Sequence, residues 1–266
     1  QICATLGQAL ASSADYEPAI RLLREASDIK RHHRSGNRLA VGLAYTLTCL
    51  AAVQGDRGDF AQASALFDEA LDVVRDTVHE VGASIRGWRA AVLLWQGRWE
   101  EARQTVAEAY RIGEQVRSLF SFSMSRAAGG YAQWMLDGSE SALQGVVDAT
   151  AWLAPREGGL FESLNHGWLT DGLVGMDRVP QARLHAARAL QRGRQRDLLG
   201  GAMAARAMAW AAATKGDQAR AERGLAQALR VAHARDSAHE LAVTQWTAAR
   251  VAWAFDAPAR ARQWLD

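Results

Sequence analysis

The sequence predicts an all-α protein, an α-solenoid of about seven antiparallel helix pairs wound as a right-handed superhelix. Composition is the first observation behind this prediction. Of 266 residues 54 are alanine and only 4 are proline, and β-branched residues are few, which favours helix over sheet. The second observation is an alanine skeleton that returns about every 40 residues. The third is a set of turn residues that stands in front of this skeleton.

The alanine skeleton has two positions, seven residues apart. The first position recurs at intervals of 39 to 44 residues, at Ala19, Ala63, Ala102, Ala142, Ala182, Ala221 and Ala261. The second follows at Ala26, Ala70, Ala109, Ala149, Ala189 and Ala228. Seven residues are about two helical turns, so both alanines lie on one stripe of a helix, where a neighbouring helix can approach closely. A fixed period of this length indicates stacked repeats.

A larger apolar residue stands between the two alanines in most repeats, at Leu23, Phe67, Val106, Val146, Leu225 and Leu265. Twelve residues before the first alanine, a preceding helix carries a small residue, except at Thr170; the small residues are Gly7, Ala51, Ala90, Gly130, Ala209 and Ala249. Small residues on both helices predict a tightly packed pair.

Gly or Asp often stands in the turn between the two helices, at 58–59, 97 and 216–217. These residues suit a left-handed helix end followed by an N-cap. Each repeat therefore consists of helix A, a short turn, helix B and a looser connection. Such connections are predicted at 34–37, 154–159 and 233–237. One helix pair cannot bury its apolar faces alone, so neighbouring pairs must stack.

The spacing of small residue, alanine and second alanine resembles the tetratricopeptide repeat. The period is near 40 residues rather than the standard value of about 34, so longer helices are expected. This variant is similar to the C-terminal repeats of large bacterial signalling proteins, namely ATP-binding LuxR-type regulators and nucleotide cyclases linked to an ATPase. The resemblance covers the whole chain. It implies one repeat domain over residues 1–266, expected to be a fragment of a larger protein.

Catalytic and metal-binding patterns do not have the required spacing. His79-Glu80 and His239-Glu240 begin a zinc-protease pattern, but Ala83 and Val243 stand where the second histidine belongs. No phosphate-binding GxxxxGK motif is present. The sequence therefore predicts a non-enzymatic domain that has neither cofactor nor metal.

His166 stands beside Asn165 and near Asp171. A polar contact between helices is a more frequent role for such a group than catalysis, and we expect that role here.

Charge and hydropathy limit the kinds of partner that the chain is expected to bind. Lys and Arg number 31 against 29 Asp and Glu, which argues against direct binding of nucleic acid. No run approaches the roughly 20 apolar residues of a membrane span. Cys3 and Cys49 are interpreted as small buried residues in a reducing compartment, and a cytoplasmic location is expected.

Ten tryptophans are many for this length. In tetratricopeptide repeats helix A lines the concave surface, and this resemblance implies a binding surface with nine members: Trp95, Tyr131, Trp134, Asp171, Arg206, Trp210, Trp246, Arg250 and Trp253. Two interpretations remain open. The rings pack against one another in the core, or they form an aromatic groove in which Arg206, Arg250 and Asp171 orient a ligand.

The function predicted from these observations is regulatory or scaffolding. The domain would bind a protein partner, or another domain of its own chain, within a bacterial signalling or transcriptional regulator. The alternative is a sensor of a small-molecule effector, in which the tryptophans stack on a sugar-like or aromatic ligand. An open groove favours the first function, and a closed pocket with several tryptophans favours the second.

Overall fold

The structure is a computed structural model in which residues 2–32, 37–77, 79–153, 162–194 and 197–266 are described. Within those ranges the chain forms fourteen α-helices and no strand, so the all-α prediction is confirmed. The connections predicted at 34–37 and 154–159 lie outside the described residues, apart from Asn37, where a helix begins.

The chain divides into two compact units, Gln1–Leu153 and Ala154–Asp266. The first unit contains α1 (Ile2–Ser12), α2 (Tyr16–His32), α3 (Asn37–Arg57), α4 (Phe60–Val73), α5 (Glu80–Trp95), α6 (Trp99–Val116), α7 (Leu119–Asp137) and α8 (Glu140–Leu153). The second contains α9 (Glu162–Gly175), α10 (Val179–Arg194), α11 (Gly201–Ala213), α12 (Gln218–Ala234), α13 (Ala238–Ala254) and α14 (Pro258–Gln263). A single continuous superhelical domain over residues 1–266 stays a prediction.

Helix pairing follows the predicted repeat. Each odd-numbered helix packs against the even-numbered helix that follows it, which gives four pairs in the first unit and three in the second. Successive odd-numbered helices within a unit also pack side by side. The odd-numbered helices are the predicted A helices, and they form one layer of each unit.

The alanine skeleton forms the contact between paired helices. Twelve of its thirteen alanines are buried. The exception is the half-buried Ala142, where the helix backbones themselves approach: a Cβ on Gly130 would lie 2.5 Å from the Ala142 carbonyl oxygen. Leu265 is also unlike its counterparts, because it is exposed rather than buried between helices.

The predicted turns are confirmed where Gly and Asp stand together. Gly216 has a φ of +73°, which an L side chain adopts only with strain, and it ends α11. Asp217 follows as the N-cap of α12, and its carboxylate accepts a hydrogen bond from the Arg220 amide at 3.0 Å. Asp59 caps α4 in the same way through the Gln62 amide.

Helix α3 corrects the expectation about membrane spans. Its stretch Leu39–Arg57 is long and apolar enough to cross a membrane by length and composition. Of its most apolar window, 72% is buried inside the protein. One such helix is weak evidence for a membrane span, because the buried core helix of a soluble protein passes the same test.

Both cysteines are free thiols, and both are half-buried rather than buried as expected. Cys49 of α3 lies beside the Tyr45 hydroxyl, and burial raises the pKa of its thiol to about 12. The thiol is therefore protonated at neutral pH, which makes it a weak nucleophile.

Candidate functional site

The nine residues of the predicted binding surface divide between the two units. Trp95, Tyr131 and Trp134 belong to the first. The second holds the remaining six, which are Asp171, Arg206, Trp210, Trp246, Arg250 and Trp253.

In the first unit the aromatic residues are packed. Trp95, at the end of α5, packs against the apolar cluster that includes Leu47 and Phe67. Tyr131 of α7 is buried and stacks on Trp134, with ring centroids 5.8 Å apart and an interplanar angle of 24°. This placement favours the core-packing interpretation for these three residues.

In the second unit, α13 carries exposed aromatic rings on one face. Trp246, Arg250 and Trp253 are spaced by four and three residues, so they follow one another along that face. The Trp246 side chain is 53% exposed and Trp253 is 67% exposed. We call these three residues, with Trp210 of the adjacent helix α11, the aromatic stripe.

Arg250 joins the two helices of the aromatic stripe. Its guanidinium carbon lies 3.9 Å from the centroid of the Trp210 ring and 4.7 Å from the centroid of the Trp246 ring. Both distances are typical of cation–π contacts. The structure therefore brings together three of the predicted residues, from α11 and α13, around one positive charge.

Arg206 of α11 is engaged inside the unit. Its guanidinium donates to a Glu240 carboxylate oxygen at 2.5 Å and to the Thr244 hydroxyl at 3.2 Å. The side chain of Arg206 is 11% exposed. It therefore neutralises a buried carboxylate, a different role from the ligand-orienting group that the sequence suggested.

Glu240 is the centre of a buried charge cluster that sequence reasoning missed. Arg235 lies 3.7 Å and His239 3.8 Å from its carboxylate, in addition to Arg206. Burial by itself would raise the pKa of Glu240, but the surrounding charges outweigh burial and lower its pKa to about 2. A usable signal was present: Ser237 stands three residues before Glu240, as in a capping box, and its hydroxyl accepts from the Glu240 amide at 3.4 Å.

Asp171 lies on α9, the helix that packs beside α11, and it is half-buried. The buried His166, on the same helix, makes the polar contact between helices that was expected. Its Nδ1 lies 3.0 Å from Nδ1 of His185 on α10, and its Nε2 lies 3.8 Å from Glu162. Burial, followed by the charges of His185 and two arginines, lowers the pKa of His166 to about 3.

Two clefts lie away from the aromatic stripe. A cleft of about 690 Å³ lies between α4, α5 and α6, and one of about 710 Å³ lies along α10 and α12. None of the nine predicted residues lines either cleft. In the described part of the chain, no group of three or more His, Cys, Asp or Glu side chains is arranged to hold a metal ion.

Comparisons with known proteins identify the fold. The sequence matches no protein-family model, and no curated protein matches it. Among solved structures, a Rap protein complexed with Competence and Sporulation Factor is similar, with a TM-score of 0.73 and 12% identity over 99% of this chain and 71% of that one. The chain has a tetratricopeptide-like helical repeat fold.

A second similar structure is BtubC (BKLC) from P. vanneervenii, with a TM-score of 0.54 and 19% identity over 87% of this chain and 91% of that one. Sequence identities this low establish the repeat fold only. The resemblance to LuxR-type regulators and to ATPase-linked cyclases stays a prediction.

Proposed function

We propose that this chain is a non-enzymatic repeat module that binds a protein segment on the aromatic stripe. The segment belongs to a partner protein or to another domain of the same chain. The observation that carries the proposal is the exposure of Trp246 and Trp253 on the same face of α13. These two indoles are accessible to a partner, and they flank a cation that is stacked on two rings.

The energetic argument rests on the exposed indole surface. Covering the free part of each ring removes roughly 100 Å² from water, which stabilises a complex by about 2.5 kcal/mol per ring before the costs of ordering the partner. Tryptophan and arginine are also the residues that most often dominate binding energy at protein interfaces. Two tryptophans and one arginine on a single helix face therefore suit a compact binding centre.

The structural neighbour supports the same kind of use. That Rap protein was solved in a complex with a factor, and helical repeats in general present extended surfaces for partners. Our proposal includes a regulatory setting, in a cytoplasmic bacterial signalling or transcriptional regulator. Binding at the stripe would shift such a protein between two states if the partner segment binds one state more tightly.

A small-molecule effector is the alternative occupant. Ligand sites of that kind are usually concave and enclose most of the ligand. Trp246 and Trp253 are more than half exposed, and neither of the two clefts described above includes a residue of the aromatic stripe. An extended protein segment fits such a surface better than a small ligand does.

Selection from a phage-displayed library of random peptides tests the proposal. We expect enriched peptides to bind the wild type and to lose at least roughly tenfold in affinity on the double variant Trp246→Ala/Trp253→Ala, because hot-spot truncations cost 2 kcal/mol or more. The matched control is Leu184→Ala on α10, since Leu184 is 66% exposed, much like Trp253. This control should bind as the wild type does.

Two results would contradict the proposal. One is a library that yields no peptide dependent on the stripe. The other is a metabolite that raises the unfolding midpoint of the wild type but not of Trp210→Ala, because this result would establish the effector alternative. A ligand at a hundred times its dissociation constant stabilises a fold by about 2.7 kcal/mol, which such a screen detects.

A further inference from the structure

We infer that the segment bound by the aromatic stripe carries an acidic side chain flanked by apolar residues, and that Arg250 recognises its carboxylate. This inference rests on the proposed function and adds the chemistry of the partner to it. The groups that carry it are the stacked guanidinium of Arg250 and the exposed rings of Trp246 and Trp253.

Arg250 has no anionic partner among the described residues. None of their carboxylates lies within 4.0 Å of its guanidinium, and none of their acceptors receives a hydrogen bond from it. Two other arginines of the second unit do have a counter-charge: Arg206 meets Glu240 at 2.5 Å, and Arg260 meets Glu222 at 2.7 Å. The aromatic stripe therefore carries a positive charge that the unit itself does not balance.

Two rings leave part of the guanidinium for a ligand. The guanidinium carbon lies over the Trp210 and Trp246 rings, 3.9 and 4.7 Å from their centroids, and an arginine that stacks on a ring contacts it through a face of the planar group. The N–H donors point outward in the plane and match the two oxygens of a carboxylate. The stacked rings also restrict the guanidinium, so less entropy is lost when an anion binds.

The same arrangement disfavours a wholly apolar partner. A segment that covered Trp246 and Trp253 with apolar groups would also remove water from Arg250. An arginine that is desolvated without a hydrogen-bond partner carries a free-energy penalty. A carboxylate in the segment removes this penalty, and the apolar surroundings strengthen the resulting ion pair. Charge complementarity therefore favours an acidic residue with apolar neighbours.

Nucleic acid also offers anionic oxygens, but its binding requires several cations along a backbone. The aromatic stripe contains one arginine, and the whole chain has a formal net charge of only +2. We therefore assign the stripe to an acidic protein segment.

The test uses the peptides enriched from the random library and a variant of one residue. For an enriched acidic peptide, Arg250→Gln should weaken binding by roughly ten- to hundredfold, as expected for a hydrogen bond between charged groups. The control Arg223→Gln changes an exposed arginine of α12 and should leave the affinity unchanged. Arg250→Lys keeps the charge without the planar fork and should give an intermediate loss. Thermal unfolding of each variant verifies that the fold is retained.

A second peptide, in which the acidic side chain is replaced by the corresponding amide, completes the comparison of affinities. The amide peptide should bind the wild type and Arg250→Gln equally, since the partner of Arg250 is then absent. Two results would overturn this inference and leave the proposed function standing. In the first, the enriched peptides need the tryptophans for binding but lack an acidic residue; in the second, they bind Arg250→Gln as tightly as the wild type. Peptides that do not depend on the tryptophans would overturn both. Binding of a dodecathymidine strand that is lost on Arg250→Gln would also overturn the inference, in favour of phosphate.

Discussion

The two units place aromatic residues on equivalent A helices but use them differently. In the first unit Trp95 packs on an apolar cluster, and Tyr131 is buried against Trp134. In the second unit Trp246 and Trp253 of α13 are largely exposed. Helix α5 packs beside two other A helices, α3 and α7, whereas α13 packs beside one, α11. Whether a ring on an A helix belongs to the core or to the surface therefore depends on the helices that pack beside it.

The units also differ in how charge is buried. The second unit encloses Glu240 with Arg206 and Arg235, while in the first unit the buried Asp56 accepts a hydrogen bond from the Tyr16 hydroxyl. Buried ion pairs contribute little net stability when intact, but the loss of one partner is strongly destabilising. The cluster around Glu240 should therefore be sensitive to the loss of its negative charge.

The largest loss of stability is expected when the negative charge of Glu240 is removed. Glu240→Gln should lower the free energy of unfolding of the second unit by about 3–5 kcal/mol, because two buried arginines then lack their counter-charge. Urea denaturation, with hydrogen exchange of α11 and α13, measures the loss. Glu222→Gln is the control, because the Glu222–Arg260 pair is exposed and such pairs contribute at most about 1 kcal/mol. Equal losses for the two variants would show that the buried cluster has no special role.

The next effect concerns the packed rings of the first unit. Tyr131→Ala should cost about 3 kcal/mol, because it removes a buried ring and leaves a cavity beside Trp134. Hydrogen exchange measures the effect: the amides of α7 should exchange faster in the variant than in the wild type, because their protection falls with the stability of the helix. A variant as protected as the wild type would place Tyr131 on the surface and remove the contrast between the units.

A pH effect of intermediate size belongs to the second unit. The pKa of His166 is lowered from 6.5 to about 3 in the folded chain, so the unfolded chain takes up this proton first as the pH falls below about 6.5. The free energy of unfolding should consequently fall by about 2 kcal/mol between pH 6.5 and pH 5 on account of this residue.

Urea denaturation at pH 7 and pH 5 checks this prediction in the wild type and in His166→Gln. The variant should lose that part of the pH dependence. Burial also lowers the pKa of His185, so the part of the pH dependence that comes from His185 should remain in the variant. Identical pH dependence in the two proteins would contradict the assignment to His166.

The smallest loss of stability is expected for the exposed Trp253. Trp253→Ala should change the free energy of unfolding by no more than about 0.5 kcal/mol, as substitutions of exposed side chains usually do. Thermal denaturation beside Tyr131→Ala gives the direct comparison. A loss of several kcal/mol would mean that Trp253 is core in solution, and the proposed binding surface would then lose its main support.

The repeat could be predicted from the sequence because each of its features is local. Two alanines seven residues apart share a helix face, and Gly216 with Asp217 specifies a helix end and the next helix start. Relations of this kind determined the all-α class, the pairing of helices and the buried positions of residues such as Ala63 and Ala221. The aromatic and charged members of the A helices could be named in the same way, from their position in the repeat.

Only the tertiary structure determined which residues surround the aromatic and charged side chains of the A helices. Glu240 meets Arg206 across 34 residues, and His166 meets His185 across 19, so no local spacing indicates either contact. Trp134 and Trp253 both stand eight residues before the first alanine of their repeats, yet Trp134 is half-buried and Trp253 is largely exposed. Periodicity determines the direction in which a side chain points from its helix, whereas burial and charge pairing depend on which distant segments pack against that face.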